Sequence, residues 1–153
     1  MSTQADQNYT IKEAAKLTGL SGSTLRYYET IGLIPHVHRD SSSKYRVYTD
    51  DDINYIISIA CLSATGMSID DMQTYLQNVE QGSSASDAQI KLLDDQNQRL
   101  VDEERNLKLR QKYLRTKAEY WRAIADNNPV LAETISKQAV AIAKEVKLSQ
   151  TNS

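Results

Sequence analysis

LTGLSGSTLRYYETIGLIP, residues 17–35, is the stretch on which the fold turns. Gly19 supplies the left-handed stop that closes one helix, and Ser21 is placed to cap the next. That second helix carries Leu25, Tyr28 and Ile31 on one side and stops at Gly32. Upstream, Thr10 followed by Glu13 forms a capping box, and Ile11, Ala14, Ala15 and Leu17 supply an apolar face. Two short helices joined by a three-residue connection have helix-turn-helix spacing.

Beyond Leu33-Ile34-Pro35 comes a polar stretch, His36 to Lys44, and then Tyr45-Arg46-Val47-Tyr48. Alternating β-formers after a serine-rich loop predict a hairpin, or wing. Thr49 or Asp50 caps a third helix, with Ile53, Ile56, Ile57, Ala60, Cys61 and Ala64 as its apolar residues and Gly66 at its end. Ser68 with Asp71 forms a second capping box for a fourth helix through Met72, Tyr75, Leu76 and Val79. Gln81-Gly82-Ser83-Ser84 marks the expected boundary.

From Ser86 to about Ala125 there is neither Gly nor Pro, and apolar residues recur every seven positions: Leu93, Leu100, Leu107, Leu114, Trp121. The companion stripe, Ile90, Asn97, Glu104, Gln111 and Ala118, is largely polar, so the pattern predicts a coiled coil of limited stability. At ~1.5 Å per residue this is a rod of roughly 60 Å. The alternative is a long helix packed on its own domain; no remaining segment is large enough to cover the stripe, so it is expected to pair with its twin as a homodimer. Asn128-Pro129 opens a last amphipathic helix through Val130, Leu131, Ile135, Ala139, Ile142 and Val146. The expected organisation is a disordered N-terminus (1–8), a winged helix-turn-helix domain (9–82), a dimerisation helix (83–125), and a short helix with a disordered tail from Ser149 (126–153).

Composition narrows the function. The 153 residues hold one cysteine, which excludes an intrachain disulfide framework and any multi-thiolate metal cage within one subunit. There is no apolar run of ~20 residues and no signal-like leader, which predicts a cytoplasmic protein without a membrane span. The net charge of −2 looks adverse for a phosphate-binding surface. It is unevenly spread. Residues 51–80 hold five acidic residues and no Lys or Arg, whereas residues 1–50 hold six basic and five acidic.

Tyr9-Thr10-Ile11, the 17–35 stretch, KYRVYTDDDI (44–53) and ATGMSIDDMQTYL (64–76) together resemble the MerR family of bacterial transcription regulators. The most specific string is TLRYYE–x–IGL followed by a YRxY wing. Where the family's wing usually reads Gly-Tyr-Arg, Lys44 stands here, either tightening the turn or adding a phosphate contact. The spacing of Cys61 further resembles the aldehyde- and nitrosative-stress-responsive members that carry one cysteine at this place. The cysteines that metal-sensing members carry near the end of the coiled coil have no counterpart here.

The resemblance implies a mainly α fold: a winged helix-turn-helix followed by a long helix that forms an antiparallel coiled coil. It also implies double-stranded promoter DNA as partner, bound as a pseudo-palindromic spacer and distorted for RNA polymerase in response to an effector. A recognition helix places its first turns at base edges, which selects Ser23, Thr24, Arg26 and Tyr27, with Tyr28 kept for the core. Arg26 suits guanine or phosphate, or else pairs with Glu29 or Glu13, while Thr24 and Tyr27 can donate to phosphate oxygens. Lys44, Tyr45 and Arg46, helped by Arg39, would reach the DNA backbone beside the groove. Tyr9 would hydrogen-bond a phosphate, and Tyr48 would pack under the wing.

Cys61 divides the two lines of reasoning. Its helix of Ile and Ala, with no basic residue within ten positions, argues for a buried inert thiol. The family spacing argues for an electrophile sensor, which needs an accessible thiolate. His36 and His38 form an H-x-H pair without a third ligand, so no metal and no cofactor is expected. No nucleophile–base pair or glycine-rich phosphate loop is present, so the chain does not read as an enzyme. An alternative reading is a coiled-coil interaction protein with a vestigial helix-turn-helix, against which Arg26, Lys44 and Arg46 speak.

Overall fold

The computed structural model describes residues 7–151 and divides into two compact units, one ending at Gln96 and one beginning at Asn97. In the first unit, α1 spans Ile11–Thr18 and α2 spans Gly22–Thr30. The Thr10 hydroxyl accepts the Glu13 N–H at 3.2 Å while the Thr10 N–H donates to the Glu13 carboxylate at 3.3 Å. Gly19 ends α1 at φ +76°, a conformation that costs glycine nothing. Ser21 then caps α2 by accepting the Thr24 N–H at 3.1 Å.

Strands β1 (His38–Arg39) and β2 (Arg46–Val47) form an antiparallel hairpin with His38 opposite Val47 and Arg39 opposite Arg46. Tyr9 bridges to Tyr48 through two backbone hydrogen bonds of 2.8 and 2.9 Å, tying the chain entering α1 to the base of the wing. α3 (Asp50–Ala64) starts at Thr49, which makes a reciprocal capping box with Asp52, and α4 (Ile69–Gln81) starts at Ser68. Ala14, Leu25, Leu33, Tyr48, Ile56, Ile59 and Met72 form the centre of the core. Tyr28 belongs to it too, with its hydroxyl 3.3 Å from that of Ser63 across α2 and α3.

α3 departs from its expected apolar set at three positions. Its inner face is Ile53, Ile56 and Ile59, whereas Ile57, Cys61 and Ala64 are exposed. The Ile–Ala composition makes the helix apolar on more than one side, and the core takes only one of them. Cys61 lies on the other, so it is not the buried thiol its neighbours suggest.

A short 3₁₀ turn over Gly82–Ala85 leads into α5, Ser86–Ala125. The first turns of α5 belong to the first unit. Gln89 donates to the Tyr75 carbonyl at 3.0 Å and accepts from Asn78 at 2.9 Å, and Gln96 donates to the Thr65 carbonyl at 2.8 Å. Compaction therefore runs past Gly82, where the sequence pattern places the boundary.

In the second unit α5 turns at Asn127 (φ +52°) into α6, Pro129–Thr151. α6 returns along α5. Tyr120 and Ala123 pack against Ala132 and Ile135 near the turn, and Asn106 and Leu109 share a cleft with Ser149 at the far end. Helical structure through Thr151 corrects the expected tail for Ser149, Gln150 and Thr151. Residues 152–153 of that tail, and 1–6 of the expected N-terminal segment, lie outside the described residues. Among the described residues no helix is long and apolar enough to cross a membrane.

Candidate nucleic-acid interface

α2 buries Leu25 and Tyr28 and turns Arg26 and Tyr27 outward, Tyr27 being half exposed. The face follows from helical periodicity: positions 25 and 28 share a side, and 26 and 27 fall between them and solvent. At its start the hydroxyls of Ser23 and Thr24 lie 3.0 and 2.8 Å from that of Ser21. These short links order the first turn. They also leave backbone and hydroxyl donors gathered at a helix N-terminus, a setting that favours anions.

The wing is built around Asp40. Its carboxylate accepts the N–H groups of Ser42 and Ser43 at 2.9 and 2.8 Å and the Ser42 hydroxyl at 2.6 Å. The Ser42 hydroxyl and those N–H groups hold the Asp40 carboxyl well below the usual carboxylate range. Lys44 closes the turn with its N–H on the Asp40 carbonyl at 2.8 Å. It does so at φ +63°, the left-handed conformation that favours glycine. The turn has thus kept a glycine's geometry with a lysine in it. Tyr45 is largely exposed, and Arg39 donates to the Lys44 carbonyl at 3.0 Å.

Arg46 stands apart from the other wing residues. Its Nε donates to Glu29 at 2.9 Å, with the Arg46 and Glu29 side chains 21% and 7% exposed. The other Glu29 oxygen accepts the Val37 N–H at 3.1 Å and lies 3.6 Å from His36 Nδ1. Burial pushes the Glu29 carboxyl up, but the Arg46 hydrogen bond, the Val37 N–H, the Arg46 charge and the neighbouring His36 outweigh it and leave it lowered. The carboxylate considered for Arg26 is thus held by Arg46. Glu29 is the residue the sequence reading passed over in its own right. Its partner lies 17 positions away on another element, beyond the reach of any helix-spacing rule.

Tyr9, considered for a phosphate, donates its hydroxyl to Asp50 at 2.8 Å, and this hydrogen bond, with burial, raises its phenol above the ordinary value. Tyr48 is fully buried, its hydroxyl without a partner among the described residues, and burial raises its phenol likewise. Cys61 is exposed on α3. On α5, Leu93, Leu100, Leu107, Leu114 and Trp121 are all exposed. The residues facing α6 are others: Thr116 and Ala123 are buried and Tyr113 and Tyr120 partly so.

A helix-turn-helix with an ordered wing, followed by a long helix with an open apolar stripe, defines a winged helix-turn-helix regulatory protein. Residues 9–79 match the family described as MerR HTH family regulatory protein. The chain belongs to the MerR family. It is 39% identical over 92 residues to the HTH-type transcriptional regulator AdhR of Bacillus subtilis, a match covering 60% of this chain and 65% of that protein. The chain thus spans somewhat under two thirds of that relative's length. Among solved structures it is similar to HiNmlR, a MerR family regulator lacking the sensor domain, bound to promoter DNA. That likeness has 28% identity and a TM-score of 0.69, and covers 84% of this chain and 96% of that one. A MerR family transcriptional regulator from Bacillus thuringiensis is 31% identical, with a TM-score of 0.55, over 71% of this chain and 97% of that one. Transcriptional regulation, the role these relatives are named for, is not an enzymatic one.

Proposed function

We propose that the chain is a homodimeric transcriptional regulator that grips a pseudo-palindromic promoter spacer and distorts it in response to an effector. The observation that carries this reading is the outward face of α2, with Arg26 and Tyr27 exposed beside a capped N-terminal turn and next to the wing. The likeness to a MerR regulator bound to promoter DNA supports it. Ser23, Thr24, Arg26 and Tyr27 meet the major groove. Lys44, Tyr45, Arg39 and Arg46 flank the backbone, and Tyr9 lies at the wing's base. Residues 9–82 serve as the reader, 83–125 as the dimerisation helix, and 126–153 as its supporting helix and tail.

An antiparallel pair is favoured by the charge order of the rod. Residues 94–106 hold five acidic and two basic residues, and residues 108–120 hold five basic and one acidic. Antiparallel pairing sets each acidic half against a basic half, whereas parallel pairing opposes like charges. Leu107 lies midway along the stripe, so a two-fold axis there sets Leu100 over Leu114 and Leu93 over Trp121 of the other copy. Two readers at fixed spacing then bend and untwist the spacer, at a cost on the order of 1–6 kcal/mol for smooth bending. RNA polymerase is met through the realigned promoter.

The effector we assign is an electrophile captured at Cys61, whose exposure meets the first requirement for a reactive thiol. A gel shift against the promoter beside the protein's own gene, at two salt concentrations, tests the reading. Affinity falls steeply with salt if phosphate contacts dominate, and a vestigial reader shows no such preference for its promoter. Cys61→Ser should abolish induction by electrophiles while leaving operator affinity intact. Unchanged induction removes the thiol from the mechanism.

A further inference from the structure

We infer that Glu29 is a positioning residue of the DNA interface, one that fixes the wing against the recognition helix and withholds the charge of Arg46 from indiscriminate attraction to phosphate. The inference rests on the function proposed above. Its basis is that one nearly buried carboxylate joins its own helix to two other segments. From the last turn of α2 it accepts Arg46 Nε of β2 at 2.9 Å and the Val37 N–H, just ahead of β1, at 3.1 Å. Both strands of the wing are therefore tied to the recognition helix through a single side chain.

The hairpin register makes such a tie necessary. Arg39 and Arg46 are directly opposed, and like charges in that relation repel. Arg39 relieves its side by donating to the Lys44 carbonyl at 3.0 Å, and Glu29 neutralises the other. Tyr48, two residues along from Arg46, is fully buried in the apolar core, so the wing stands on an apolar floor. In such surroundings an ion pair is held more firmly than one in solvent, and an unpaired charge is costly.

Two consequences follow for recognition. The angle between wing and α2 is set before DNA arrives, so little ordering is left for binding. The second concerns specificity, which is the difference between promoter and random DNA. A free wing arginine would strengthen both alike. A neutralised arginine held in one place adds to the fit of one DNA shape and little to attraction for all.

The test compares the full-length wild type, Glu29→Gln and the double variant Glu29→Gln/Arg46→Gln. Each is titrated with its own promoter and with a random duplex over a range of salt. In Glu29→Gln the amide oxygen still accepts the Val37 N–H while the charge on Arg46 is released. Random-duplex affinity should rise several-fold, its salt slope should steepen by about 0.9 per reader, and the promoter-to-random ratio should fall about tenfold. The double variant, with the wild-type net charge, should return to the wild-type slope on random DNA while its ratio stays low. An unchanged ratio in Glu29→Gln overturns the inference, including the case in which both affinities fall together, the mark of a merely structural role. So does a double variant whose slope flattens by about 0.9, since Arg46 would then have been a free phosphate contact. That arm also decides the matter should Glu29→Gln fail to fold. A wild type with no preference for its promoter overturns the proposed function itself, and the inference with it.

Discussion

Replacing Lys44 by glycine should stabilise the fold and weaken DNA binding at the same time. The backbone of Lys44 sits at φ +63°. An L-residue there costs about 1–2 kcal/mol through the clash of its Cβ with the following carbonyl. Glycine removes that clash but gives back about 0.5–1 kcal/mol of chain entropy in the unfolded state. The net gain is about 0.5–1 kcal/mol. No hydrogen bond is lost, because the turn uses only the Lys44 backbone, its N–H on Asp40 and its carbonyl under Arg39. Urea denaturation should show a higher midpoint at unchanged slope, with a Tm higher by roughly 1–4 °C. Lys44→Ala serves as the partner variant. It removes the same charge but keeps the Cβ, so its stability should match wild type within about 0.5 kcal/mol. If Lys44 meets a phosphate, both variants flatten the salt dependence of promoter binding by about 0.9 per subunit. A midpoint for Lys44→Gly at or below wild type would refute the reasoning, since the lysine side chain would then be stabilising the turn by more than its strain.

Three further outcomes are expected. Tyr48→Phe deletes a buried hydroxyl that has no partner among the described residues and should raise stability by about 1 kcal/mol in urea denaturation, whereas a fall would show that the hydroxyl is hydrogen-bonded in solution. The Glu29 carboxyl is lowered in the folded state, so its contribution is fully present above its ordinary value of 4.5 and lost as pH falls through the lowered value; denaturation at pH 7, 5 and 3 should show this acid loss reduced in Glu29→Gln. Leu107→Glu places like charges at the centre of the proposed two-fold interface and should give a monomer in sedimentation, with helical content largely kept because α6 still covers the other face of α5.

Local rules made the first unit legible. Thr10 with Glu13, Gly19, Ser21, Thr49 and Ser68 each act within a few residues, so capping chemistry located the helix ends without tertiary information. The absence of Gly and Pro over residues 86–125, and Asn128-Pro129 ahead of the last helix, marked α5 and α6 from local sequence as well. What escaped reading depended on distant partners. Arg46 meets Glu29 across the wing, and Tyr9 meets Asp50 across 41 positions. Cys61 escaped for another reason. Composition gives the average polarity of a helix, while exposure depends on which of two apolar faces the core takes. The Gln96 contact with the Thr65 carbonyl was hidden because a polar residue in a polar stretch carries no signal of burial.

The hairpin of α5 and α6 bears on the order of assembly. Its contacts, such as Ala123 with Ala132, join residues close in sequence, and folds of low contact order form fast. The rod therefore needs no second chain to become a helix. Once α6 has zipped down α5, one face is filled, and the leucine stripe is presented on a preformed rod. In the proposed dimer, pairing is then a bimolecular docking step whose rate depends on protein concentration, separate from the first-order folding that precedes it. A newly made subunit reaches this competent form only when α6 has left the ribosome, so pairing waits on the synthesis of α6.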